Sequence, residues 1–251
     1  RILSIRVAAS VRERPHCSIV SDVAIPSSPE PATNELATEV LVIGGGPAGA
    51  AAGYWLAKHG HDVTIVERKT FPRDKTCGDG LTPRAVYQLG EMGLTEQLSK
   101  FHRYHGLRAT GMGRELELQW PAHSKYPSHG YVVRRRELDM MVADNAVAAG
   151  ATLLTGHVAL EPIVDRGFVR GATVQTKHGE TKEIHARYVV VADGANSRFG
   201  RALGTFRTRE WPYGTAIRTY WQTPRHADPW IESALDVKDR NGNPMPGYGW
   251  I

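Results

Sequence analysis

Two stretches of the chain hold residues whose types and spacing could do chemistry. In the first, Gly44-Gly45-Gly46-Pro47-Ala48-Gly49 satisfies Gly-x-Gly-x-x-Gly, and Glu67 follows eighteen residues after Gly49. Such a pattern suits the binding of a dinucleotide. Gly44 permits a tight turn, Gly46 lets a pyrophosphate approach the backbone, and Gly49 lets a helix lie close to a strand. Pro47 and Ala48 complete the turn at the helix start, where free N–H groups and a positive dipole end face the phosphates. Glu67, followed by Arg68, is placed to accept hydrogen bonds from an adenosine ribose. NAD and FAD share this fingerprint, so it does not choose between them.

The second stretch is KTCGDGLTPR, residues 75–84, where Cys77 stands beside Gly78 in a glycine-rich loop. A thiol there is either a reactive group or a small space-filling residue. Lys75 would favour a thiolate and Asp79 would oppose it. Two further places carry charge at element ends. Arg134-Arg135-Arg136-Glu137-Leu138-Asp139 opens a helix, and VVVADGANSRFGR, residues 189–201, ends a strand with Asp193-Gly194. The eleven histidines include no His-x-x-x-His or His-Glu-x-x-His spacing, so no metal is expected.

These residues need elements to position them. VLVI, residues 40–43, is a continuous apolar run suited to a strand buried on both faces. AGAAAGYWLAKHG reads as a helix ended by Gly60, and DVTIVE as the next strand. Residues 40–57 carry no charge and are long enough to raise a membrane-helix flag, but three consecutive glycines and a proline argue for strand–turn–helix. Further on, ELDMMVADNAVAAG is helical and ATLLTGHV a strand. Residues 166–194 then read as short strands with turns at Gly171 and Gly179. Alternation first and hairpins later indicate an α/β domain with β material inserted or appended.

At 251 residues, with 41% apolar and 23% charged content, the chain can bury a sizeable core. The net charge of +5 comes without a nucleic-acid-binding motif, so no nucleic-acid partner is expected. Two cysteines make no disulfide framework, Cys17 has no evident mate, and a reducing compartment fits. Residues 1–37, rich in arginine, serine and proline, read as a disordered or non-native tail.

Taken together, GGGPAG with Glu67-Arg68, then Arg135-x-x-Leu138-Asp139, then ADGANS resemble the flavoprotein group that includes p-hydroxybenzoate hydroxylase. Within it, residues 67–86 and the ending Pro246-Gly247-Tyr248-Gly249-Trp250-Ile251 resemble the geranylgeranyl reductase family, in particular actinobacterial members acting on the menaquinone side chain. The resemblance implies a Rossmann-like FAD-binding domain over residues 38–205, with residues 100–126 contributing to a substrate sheet, and the start of a substrate domain over residues 206–251. It places Arg135 near the FAD phosphates, Val158 at the adenine and Asp193-Gly194 beside the pyrophosphate. Cys77 and Gly78 would lie in the loop facing the isoalloxazine ring. Tyr248 and Trp250 would contact substrate, and Trp211, Trp221 and Trp230 are further candidates for the wall of an apolar tunnel. The family also carries a second Gly-Asp segment that this sequence does not reach, so the chain is expected to be cut short.

The implied activity is FAD-dependent saturation of an isoprenoid carbon–carbon double bond. It calls for a polyprenyl or isoprenoid lipid, and for an electron donor such as NAD(P)H or a reduced redox protein. A cytoplasmic location, peripheral at the membrane, would follow from such a substrate. Two alternatives remain open: an FAD-dependent aromatic monooxygenase sharing the cofactor motifs, and a catalytically inert fragment.

Overall fold

The structure, a computed structural model, describes residues 35–205, 210 and 214–251. Cys17, Trp211 and residues 1–34 of the expected tail lie outside the described residues. Strand β1 runs over Glu35–Ile43, α1 over Pro47–Lys58 and β2 over Val63–Glu67. Then come β3 (Gly80–Leu81), α2 (Pro83–Glu91), α3 (Thr95–Leu98) and β4 (His102–Tyr104). Strands β5 (Gly106–Gly111) and β6 (Arg114–Gln119) form a hairpin, and β7 (Gly130–Val132) leads into α4 (Arg135–Ala148). After α4 lie β8 (Thr152–Thr155), β9 (His157–Asp165), β10 (Phe168–Thr176), β11 (Thr181–Val191) and the short α5 (Arg198–Ala202). Strands β12 (Trp230–Ala234) and β13 (Gly249–Trp250) follow.

The principal sheet has the order β8-β2-β1-β11-β10-β9, parallel from β8 through β11 and antiparallel beyond. Strand β1 is its centre because VLVI can be buried on both faces. Val40 and Val42 pack with α1 and α4 on one side, while Leu41 and Ile43 pack with Phe199 of α5 and with β10 on the other. Each such side chain contributes about 1.5–3 kcal/mol of burial. The mixed α/β, Rossmann-like class read from the sequence is borne out.

Two local readings are corrected. Gly171 is not a turn: it lies inside β10 at φ +150, where the pairing with β9 shifts register, and the reversal falls at Arg166-Gly167, φ 48 and 83. A bulge and a turn both ask for a residue free to take positive φ, so the glycine alone does not separate them. ATLLTGHV is two strands rather than one, broken at Gly156 with φ +69.

A second sheet, β13-β12-β5-β6, stands apart from the first. Its pairing sets Leu107 opposite Leu118 and Ile231, and Ala109 opposite Leu116 and Ser233, with Trp250 opposite Ser233. Paired residues share a face, so this face is mostly apolar. The opposite face carries Arg108, which pairs with Glu117 at 2.8 Å and Asp228 at 2.6 Å. A third small sheet, β3-β7-β4, lies at the start of α2 and α4.

Candidate functional site

The glycine turn between β1 and α1 has the geometry its residue types demand. Gly44 takes φ +100, and a Cβ there would lie 2.6 Å from the Ala192 carbonyl oxygen. A Cβ on Gly49 would run into the Gly44 carbonyl, so only glycine lets α1 approach the turn. Gly46 differs in kind. Among the described residues, the one atom within 4 Å of a Cβ there is Arg73 Nη2, at 3.5 Å. The protein leaves that side of the backbone open, as a ligand approaching it would require. Helix α1 begins at Pro47 with no side chain capping its first turn, leaving N–H groups free for an anion.

Glu67, at the end of β2, is buried. Its Oε2 accepts from the Gly45 N–H at 3.0 Å and from Arg73 Nη2 at 3.3 Å, and its Oε1 accepts from the Lys69 N–H at 3.0 Å. Arg73 continues to Asp139, with Nη1 3.0 Å from Oδ2. Asp139, wholly buried on α4, is also held by Arg135 through Nε at 2.7 Å and Nη2 at 3.0 Å. Burial disfavours the Arg135 charge, but hydrogen bonds and attraction from Asp139 outweigh it and raise the guanidinium pKa. A cleft lined by Gly44, Gly46, Glu67, Arg68, Lys69, Arg73, Asp74, Lys75, Ala192 and Asp193 opens beside this cluster. Among the described residues, two buried polar atoms on its lining have no partner, Arg73 Nε and Asp193 Oδ1. One orphan donor and one orphan acceptor are what a nucleotide, with phosphates and hydroxyls, could satisfy.

From the cleft the chain runs through residues 75–79 to β3 of the third sheet. Asp79 is buried and receives three donors: the Arg135 N–H at 3.0 Å, Arg218 Nη1 at 3.3 Å and the Tyr220 hydroxyl at 2.9 Å. Arg218 Nη1 also donates to the Lys75 carbonyl at 2.7 Å, and its guanidinium lies 4.9 Å from the Tyr220 ring centroid. Burial first, then the hydrogen bond to and the charge of Asp79, raise the Tyr220 pKa, so its phenol keeps its proton at neutral pH. Beneath the loop, buried Tyr104 donates to the Leu81 carbonyl at 3.0 Å, and burial pushes its pKa up to about 12. Cys77 is exposed. A Cβ on Gly78 would lie 4.0 Å from Trp250 Cζ2, and one on Gly80 would lie 2.7 Å from Ile231 Cδ1. The cysteine loop therefore lies against the apolar face of the second sheet.

Similarity to known proteins shows the family to which this chain belongs. Residues 37–234 match the family model of an FAD binding domain. The chain belongs to that family. FAD is thus its dinucleotide, and the choice left open by the glycine fingerprint is made. The chain is 44% identical over 213 residues to a menaquinone reductase of Mycobacterium tuberculosis, covering 85% of this chain and 51% of that protein. It is 31% identical over 219 residues to digeranylgeranylglycerophospholipid reductase 2 of Methanosphaera stadtmanae, with 85% and 53% covered. A crystal structure of a geranylgeranyl bacteriochlorophyll reductase-like protein from Thermoplasma acidophilum superposes with a TM-score of 0.66 at 23% identity, over 86% of this chain and 53% of that one. These relatives bear out the resemblance read from residues 67–86. The chain spans about half the length of the curated relatives it matches.

Within this FAD-binding domain the structure brings Gly44, Gly46, Glu67, Arg68 and Asp193 to one cleft, with Pro47, Ala48 and Gly49 opening the helix behind it. Asp193 Oδ2 accepts from the Arg198 and Phe199 N–H groups at 3.1 and 3.4 Å, and Gly194, φ +93, lies across from Lys75. Cys77, Gly78 and Trp250 form a second group, and Tyr248 precedes β13 exposed. Arg135 and Val158 are not on the cleft lining. The Arg135 side chain is closed on Asp139, and Val158 stands near the start of β9 opposite Gln175. Arg73, Arg218 and Tyr220 were not singled out from the sequence, and Asp139 entered only as the end of the Arg135-x-x-Leu138-Asp139 motif, with no role of its own. The spacing of Arg135 and Asp139, one helical turn apart, signals a pair but not its burial. For Arg218 and Tyr220, some 140 positions from Asp79, no local signal exists.

Proposed function

We propose that this chain carries the FAD cleft and flavin-facing loop of a reductase that saturates an isoprenoid carbon–carbon double bond, in the side chain of menaquinone. The observation that carries the proposal is the approach of Gly78 to Trp250 and of Gly80 to Ile231 on an apolar sheet face, in the loop that bears the exposed Cys77. A long hydrocarbon chain laid along Leu107, Leu116, Leu118, Ile231 and Trp250 would reach the loop over apolar side chains, with Arg114 on that face only at its Gly111 end. The names of the two curated relatives, one a quinone reductase and one a lipid reductase, support the same substrate chemistry.

The cofactor residues proposed are those read from the sequence. Glu67 receives the adenosine ribose with Arg68 beside it, Val158 lies at the adenine, and Gly44 to Gly49 with Arg135 and Asp193-Gly194 surround the phosphates. Reduced FAD, when bound, supplies a hydride from N5, and the alkene also needs a proton. The chain's part is to hold the double bond against the loop and exclude water there. Trp250 and Tyr248 cover the alkene, and Asp79 fixes the loop that bears Cys77. The reductant is NAD(P)H or a reduced redox protein, and the lipid is reached by peripheral contact with the cytoplasmic membrane. Among the described residues, no helix is long and apolar enough to cross a membrane.

The test is anaerobic incubation of the full-length protein, loaded with FAD and reduced chemically, with menaquinone. Mass spectrometry should find a product two hydrogens heavier, with the gain confined to the side chain. Substrate-dependent oxygen consumption yielding a hydroxylated ring would instead identify a monooxygenase, and no product of either kind would leave an inert fold.

A further inference from the structure

Arg73 has a neighbourhood that its ion pairs do not explain. Its side chain is 8% exposed, and it is stacked against Phe71 with the guanidinium carbon 5.1 Å from the ring centroid. A guanidinium receives a planar oxyanion best along the edge formed by Nε and Nη2. Arg135 uses that edge on Asp139, at 2.7 and 3.0 Å. In Arg73 the same edge is nearly idle: Nη2 reaches Glu67 only at 3.3 Å, and Nε, buried, has no partner among the described residues. This edge also lies at the open side of the phosphate turn, since Nη2 is the atom nearest a Cβ on Gly46.

Local charge bears on what the edge receives. Glu67 and Asp139 are balanced by Arg73 and Arg135, so the buried cluster is neutral. The cleft adds Arg68, Lys69 and Lys75 against Asp74 and Asp193, a surplus of one positive charge at its lining. An anion entering beside Gly46 is therefore favoured. Glu67, already accepting from Gly45, Lys69 and Arg73, has more to gain from a hydroxyl once the arginine is drawn off it.

We propose that Arg73 binds a phosphate of the FAD pyrophosphate through its Nε–Nη2 edge, exchanging Glu67 for that phosphate and freeing Glu67 Oε2 for the ribose. The assignment rests on the reading of the cleft as an FAD site. Arg73 keeps its Nη1 contact with Asp139 throughout, so α4 holds the guanidinium while its other edge changes partner. No covalent step is involved; one charge-assisted hydrogen bond replaces another.

The experiment measures FAD affinity by flavin fluorescence in the full-length protein and in Arg73→Gln and Arg73→Lys. ADP and adenosine are measured as competitors in each. Loss of the fork should weaken FAD and ADP alike, roughly ten- to hundredfold for Gln and less for Lys, since a charge-assisted contact is removed. Adenosine, which has no phosphate, should lose less than threefold. If Gln unfolds the protein, Lys retains a cation beside the carboxylates, and its separation of ADP from adenosine carries the test. Unchanged or tighter FAD binding would make Arg73 a plug and overturn the assignment. Equal losses for ADP and adenosine would overturn it too, because Arg73 would then act only through Glu67. Failure of the wild-type protein to bind FAD would refute the cleft itself, a result distinct from either.

Discussion

Replacing Asp79 tests how the cysteine loop is held. Asp79→Ala removes the acceptor of three donors, and the cost of each follows from its surroundings. The Arg135 N–H, at the start of α4 and buried, would be left without a partner, costing about 1–3 kcal/mol. Arg218, 14% exposed, would lose one charged contact while keeping the Lys75 carbonyl, costing roughly 0.5–1.5 kcal/mol. Tyr220 is exposed and can turn to water at little cost. The expected loss is about 2–4 kcal/mol. Asp79→Asn is the control: its oxygen can still accept from Arg135, and its amide can face the Tyr220 oxygen, so only the charge is lost. That change should cost about 1 kcal/mol. Urea unfolding with unchanged m values gives both numbers from the midpoints. Equal costs for the two variants would show that charge, not the backbone acceptor, holds the loop; an Ala cost near zero would refute the account altogether.

Cys77→Ser in the full-length protein separates the two roles of the thiol: turnover falling at least tenfold with normal flavin content is the expected result for a reactive group. Unchanged turnover would leave Cys77 a spacer in the loop. His129 is held below its ordinary value of 6.5, by burial first and then by Arg103 and His105. Its folded pKa is the lower one, so its contribution is complete above about pH 6.5 and is lost as pH falls from there through the folded value. His129→Gln should therefore flatten the decline of urea midpoints between about pH 7.5 and about pH 5, and parallel profiles would exclude that histidine as the cause.

Much of the cofactor cleft was legible because its requirements are local. Gly44 and Gly49 are demanded by backbone that lies within a few residues or directly across a strand, and the β–turn–α pattern around them is a matter of apolar spacing. The same locality made VLVI readable as a strand buried on both faces. Gly171 shows the limit: positive φ is visible as a glycine, but whether the chain bulges or reverses depends on β9 and β11 beside it. Arg73 lay six residues from Glu67 in plain view among the charges of residues 67–75. Its burial depends on α4 bringing Asp139 to meet it, which no spacing rule foretells. Arg218 and Tyr220 were hidden for the same reason at greater range, since their partner Asp79 stands some 140 positions away in the chain.

The polar end of α4 connects these observations. Its buried stripe is apolar at Val142, Ala143 and Ala146 but charged nearer its start, at Arg135 and Asp139. Buried ion pairs give little net stability against apolar side chains of equal volume, because each charge must be taken out of water. What this one provides is placement. The segment between Glu67 and Gly80 is tied to the N-terminal end of α4 twice, at Arg73 through Asp139 and at Asp79 through the Arg135 N–H. One tie adjoins the phosphate turn and the other fixes the cysteine loop. The pyrophosphate and the flavin end of a bound FAD would thus be referred to a single rigid helix terminus, and the distance between them would be set by α4 rather than by the loop.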